Sequence, residues 1–235
     1  MSLLSIVQAF AKRTNINTPT TVLGTTDPQV KQALGLLEEE GNDLASRGDW
    51  QQLTNEALHT TIAAESQGAI TTIASNGFKY IKNDTIWDRD ARTPIYVIDG
   101  TDWQQVKATA VTGPDYQARF RGGNLIVNPT PTAGLTWAFE YVSKNWIQDA
   151  AGANDSQYFN DDTDVPILPE ELLLLGLRWR WLKEKGFEYA ESFATYEREV
   201  QNALSRNQMR RVLNMSARRY TPEPKVFIPD GSWSL

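Results

Sequence analysis

Apolar residues recur at helical spacing near both ends of this chain and alternate with polar ones in its middle. Leu3, Leu4, Ile6, Val7 and Phe10 predict a short helix over residues 2–13. A polar stretch follows, from Thr14 to Thr26. Asp27 then reads as an N-cap with Pro28 in the first helical turn. Val30, Leu34, Leu37 and Leu44 make the apolar stripe of this second helix, with Glu38, Glu39 and Glu40 beside it, and Gly48 ends it.

From there the period shortens to two. Thr60–Ala64, Ala69–Ile73, Tyr80–Ile81, Ile86–Asp88, Ile95–Ile98, Tyr116–Phe120, Asn124–Val127 and Thr136–Val142 are the strand candidates. Asn76-Gly77, Asp99-Gly100, Gly113-Pro114, Gly122-Gly123 and Pro129–Gly134 separate them as turns. The run ARFRGGNLIV reads as a hairpin about Gly122-Gly123, and WAFEYVS as a half-buried strand. This section predicts a small antiparallel sandwich or barrel.

Residues 149–164 hold Asp149, Asp155, Asp161, Asp162 and Asp164 without a base, and read as a solvated acidic linker. Pro169 opens a long helix with Glu170 and Glu171 at its positive end. After a turn at Gly186, another helix runs to about Arg206, with Tyr189, Phe193, Tyr196, Val200 and Leu204 on one face. Beyond it, Pro222, Pro224 and Pro229 predict an extended tail. The fold class is therefore α+β: helices from residues 1–49 and 165–206, an inserted β module over 50–148, and a tail over 207–235.

The helix after Pro169 lacks a polar face. Leu172, Leu175, Trp179, Trp181 and Leu182 spread around it, so it must be covered on more than one side. Neighbouring copies of the chain are the expected cover, and these five residues the expected interface between subunits.

Composition narrows the chemistry. The chain has 235 residues, a net charge of -6, eight tryptophans, one histidine and no cysteine. Disulfides and thiolate metal sites are excluded, and a histidine-based metal centre or Ser-His-Asp triad is improbable. The acidic balance argues against bulk attraction to nucleic acid. His59 reads as a strand residue with one hydrogen bond. The carboxylates of Asp84, Asp88 and Asp90 read as a salt-bridged turn rather than a cation site. No phosphate loop or nucleophile elbow is present. No cofactor and no membrane span are expected. Arg206, Arg210, Arg211, Arg218 and Arg219, followed by Tyr220, Phe227 and Trp233, favour an arm that docks on a partner over a solvated helix end.

Several stretches then fit one pattern. VKQALGLLEEEGNDLASRGDWQQLTNEALHTT, NDTIWDRDARTPIYVIDGTDWQQVKA, ARFRGGNLIVNPTPTAGLTWAFEYVSKNW and the helix pair over 170–204 occur in an order that resembles the head-to-tail adaptors of short-tailed bacteriophages, the group that includes the tail tubular protein A family. The resemblance spans roughly residues 27–206 and implies a non-enzymatic virion protein of the neck, made in the host bacterial cytoplasm. It implies a dodecameric ring beneath the portal protein, contact with a downstream nozzle or hub protein, and a channel that passes double-stranded DNA without reading its sequence. Portal docking would map onto Arg210, Arg211, Arg218, Arg219, Tyr220, Phe227 and Trp233, and Glu38, Glu39 and Glu40 would line the channel. A sugar-binding virion protein, stacking glycans on Trp87, Trp103, Trp137 and Trp146, is the main rival. A hydrolase using Asp84 and Asp88 is a weaker one.

Overall fold

The computed structural model describes residues 1–109, 115–153 and 155–207. The helices are α1 (Leu3–Thr14), α2 (Pro28–Ser46), α3 (Ile70–Ile73), α4 (Gly100–Thr109), α5 (Glu170–Glu184) and α6 (Ala190–Asn207). The strands are β1 (Thr54–Thr60), β2 (Ser66–Ala69), β3 (Phe78–Ile81), β4 (Trp87–Asp88), β5 (Thr93–Pro94), β6 (Tyr96–Val97), β7 (Gln117–Arg121), β8 (Asn124–Asn128), β9 (Thr136–Ser143), β10 (Ile147–Gln148), β11 (Asp155–Ser156) and β12 (Val165–Pro166).

Local chemistry sets most helix boundaries. The Ser2 hydroxyl caps α1, and the Asp27 carboxylate accepts from the Gln29 amide at 2.8 Å to cap α2. The α5–α6 turn passes through Gly186 at φ +74°, a left-handed conformation that suits glycine.

Helices α1, α2 and α6 pack around α5. Each covers a different side. Phe10 of α1 meets Trp181 edge-on at 5.4 Å, and Phe193 of α6 meets Trp179 at 5.0 Å. From α2, the Glu40 side chain lies where a Cβ on Gly176 would stand 2.1 Å from its carboxyl carbon. The cover expected from neighbouring copies thus comes from the same chain. Leu172, Trp179 and Trp181 are buried in the bundle core, while Leu175 and Leu182 stay half-exposed.

In the β section, one sheet runs β1-β9-β4-β5, with β3 also paired to β9, and a second runs β2-β8-β7-β6. All pairings are antiparallel except β6 with β7. The sheets enclose a core of Ile86, Leu125, Val127, Trp137, Phe139 and Tyr141. Gly122 and Gly123, at φ +58° and +78°, make the two-residue turn between β7 and β8. Strand β9 joins both cores. Its Trp137, Phe139 and Tyr141 point into the sandwich, and Val142 packs with the helices.

Four expectations change. The strand expected over Thr60–Ala64 lies earlier, at Thr54–Thr60, where it pairs with β9. Ile70–Ile73 is a helical turn, because the chain leaves β2 there and buries Ile70. Residues 100–109 form a helix whose capping residue is Asp99, which accepts from the Thr101 and Asp102 amides at 2.8 and 2.9 Å. The acidic stretch 149–164 is structure rather than solvated linker. β11, β10 and β12 form a small sheet there. Asp162 accepts from the Val22 and Leu23 amides and the Thr21 hydroxyl, and buried Asp164 accepts from the Asn160 and Asp161 amides. Backbone carbonyls of Asp162 and Asp164 receive the first amides of α1, from Leu4 and Leu3.

Candidate interaction surfaces

Two of the three glutamates expected at the channel, Glu39 and Glu40, pair with an arginine of the facing helix. Arg180 on α5 donates to Glu40 at 2.6 Å and Asp43 at 3.1 Å, and pairs with Glu39. Asp43 also binds Arg47, which pairs with Glu197 of α6 at 2.5 Å and stacks over the Tyr196 ring. Glu40 is fully enclosed, and burial pushes its carboxyl above the ordinary range against the pull of Arg180. Tyr196 is likewise buried, next to Glu40, and its phenol is pushed up by that burial and that carboxylate. Glu40 therefore presents nothing to a channel. Glu38 is half-buried and accepts from the Phe159 amide at 3.3 Å, so Glu39 alone of the three is exposed.

Asp84 and Trp87 are exposed, whereas the other catalytic and sugar-binding candidates are enclosed. Asp88 is buried and accepts from the Asp90 and Ala91 amides and the Trp137 indole. His59 lies on β1 with Nε2 3.2 Å from Gln67 Oε1. Trp103, Trp137 and Trp146 are buried, and of the four proposed stacking residues Trp87 alone is exposed. Trp146 lies against Gly41 of α2 and donates to Asn42 at 3.0 Å, so it fastens the β section to the bundle. Among the described residues no three metal-ligating side chains converge, and no helix is long and apolar enough to cross a membrane.

Two open surfaces flank α5 and α6. A cavity of about 650 Å³ opens at the α5–α6 turn, lined by Trp179, Lys183, Glu188, Tyr189 and Phe193. Phe187, Tyr189 and Phe193 are 62%, 40% and 37% exposed within seven residues of chain. A second groove, about 400 Å³, runs between α5 and α6 at their other end and is lined by Trp50, Leu172, Leu175, Ala203, Arg206 and Asn207. There Asn207 donates to the Asp49 carbonyl and accepts from the Gln51 amide, which fixes where the chain leaves α6. Arg210, Arg211, Arg218, Arg219, Tyr220, Phe227 and Trp233 lie outside the described residues. The α5–α6 turn was visible in the sequence, but its unshared aromatic surface was not, because Tyr189 and Phe193 read as core positions.

The chain is thus a helical bundle carrying a β sandwich, with an ion-pair network between α2, α5 and α6 and an exposed aromatic surface at the α5–α6 turn. The SU10 adaptor protein family model matches residues 1–222, so the chain belongs to that family. It is a phage structural adaptor of the virion neck, where it meets head and tail proteins. Among curated proteins, none matches the chain.

Proposed function

We propose that the chain assembles into a dodecameric ring between the portal and the next tail component and continues the channel through which the genome leaves. The family match over residues 1–222 carries this reading, because it takes in the bundle, the β sandwich and the start of the arginine-rich tail. The ring contact would use half-exposed Leu175, which lines the second groove, and half-exposed Leu182 further along α5. A head-to-tail contact of this kind closes into a ring when its rotation permits. Residues 207–235 would form the portal-docking arm, through Arg210, Arg211, Arg218, Arg219, Tyr220, Phe227 and Trp233. The exposed Glu39 would keep a lining surface from gripping DNA phosphates.

Cryo-electron microscopy of the chain mixed with its portal tests the reading. A ring seated beneath the portal is expected. A chain that stays monomeric and shows no affinity for portal would remove it. Truncation after Arg206 should leave a folded protein that no longer attaches; attachment by the truncated chain would take the docking role away from the tail.

A further inference from the structure

The aromatic groove at the α5–α6 turn lacks an occupant among the described residues. Trp179 forms its floor, and Tyr189 and Phe193 stand at centroid distances of 6.4 and 5.0 Å from that indole. The rings touch one another, and the exposed parts of Tyr189 and Phe193 make an aromatic surface of the kind on which extended proline-rich segments pack. An apolar patch concentrated in this way on a soluble protein normally has a partner. The rim carries one charge of each sign, Lys183 and Glu188. Lys183 lies over the Trp179 ring at 5.9 Å and Glu188 accepts from the Ala190 amide at 3.0 Å, and neither makes an ion pair among the described residues.

The chain itself contains a matching segment. Thr221-Pro222-Glu223-Pro224-Lys225 alternates proline with one acid and one base, followed by Val226, Phe227 and Ile228. Glu223 and Lys225 carry charges opposite to those of Lys183 and Glu188, and Pro222 and Pro224 flank Glu223. The reach is sufficient. From Phe193 to Asn207 the axis of α6 measures about 21 Å at 1.5 Å per residue. The 14 residues from Gln208 to Thr221 span up to about 46 Å when extended. The tail can therefore leave at Asn207, double back along α6 and reach the groove of its own chain.

We infer that residues 221–228 dock in the aromatic groove formed by Trp179, Tyr189 and Phe193 of the same chain before assembly. The arm is thereby stowed against its own bundle, and a partner must displace it to use it. Little entropy opposes this contact, since proline restricts the segment beforehand and the tether makes the encounter intramolecular. The inference concerns the free chain, so a failure to bind portal leaves it standing.

Because the protein has no cysteine, paired substitutions give a clean test. In the full-length chain, Lys183→Cys is combined with Glu223→Cys, and Glu188→Cys with Lys225→Cys. Each pair is oxidised at low micromolar concentration with oxidised glutathione, and the product is followed by non-reducing electrophoresis and mass spectrometry. An intramolecular disulfide is expected in most chains. Its rate should fall several-fold when Pro222→Ala and Pro224→Ala, or Phe193→Ala, are added to the same pair. These variants keep the loop length and so correct for random collision. A rate that the proline and Phe193 changes leave untouched would overturn the inference. Disulfide-linked dimers in place of the intramolecular product would also overturn it, by moving the segment to a second copy.

Discussion

Glu40 and Arg180 meet across the α2–α5 contact, and their geometry depends on Gly176. The carboxylate occupies the space a side chain at 176 would take, and one of its oxygens, Oε1, has no hydrogen bond among the described residues. Removing one member of such a pair strands the other. Arg180→Ala should therefore cost about 3–5 kcal/mol in urea unfolding. Replacing both partners, Glu40→Met with Arg180→Met, should restore much of that loss, because the desolvation penalty disappears with the charges. Gly176→Ala forces Glu40 out of its seat and should destabilise by about 1–3 kcal/mol. Glu40 was legible as an acid on a helix, but not as a buried one. Glu38, Glu39 and Glu40 are adjacent in sequence, and only the facing helix distinguishes them.

At the level of elements, residues 149–164 show why composition misleads. A run of aspartates without bases looks solvated, yet carboxylates are also the best acceptors for unpaired backbone amides. Asp162 ties the loop ahead of α2 to the segment that caps α1. Its burial opposes ionisation, but the Thr21 hydroxyl and the Leu23 and Val22 amides hold its pKa below the ordinary 3.8. In the unfolded chain the group keeps that ordinary value. Its stabilisation is thus complete above about pH 4 and is lost as the pH falls towards the lower folded value. Asp162→Asn should lower the melting temperature at pH 7 and narrow the difference between pH 7 and pH 3. A variant whose acid sensitivity matches the parent would show that Asp162 carries no part of it. Elements with local signals were legible: the Asp27 cap with Pro28, and the Gly122-Gly123 hairpin. Helix α4 was not. Its Asp99 cap was in plain view, but the residues after it lack a clear apolar stripe, and Trp103 is the one buried side chain among those described there.

For the molecule as a whole, β9 and Trp146 make the bundle and the sandwich one mechanical unit. β9 contributes to both cores, and the Trp146 ring fills the space above Gly41, where an added Cβ would lie 2.2 Å from it. Unfolding in urea should therefore show one transition, with far-ultraviolet circular dichroism and tryptophan fluorescence coinciding. Gly41→Val, which expels Trp146, should separate the two curves. If they still coincide in that variant, the coupling runs through β9 alone.

The four long helices α1, α2, α5 and α6, the cap of α2, the hairpin turn and the need to bury every face of α5 follow from the sequence alone. Each rests on residues within a few positions of one another, where spacing and backbone preference act directly. What covers α5 was decided only in three dimensions. An apolar face states that it must leave water, but hydrophobic attraction has no direction and names no partner. The fold gave α1, α2 and α6 of the same chain to that helix. It left the aromatic surface of Phe187, Tyr189 and Phe193 uncovered, among the described residues, at the turn beyond it.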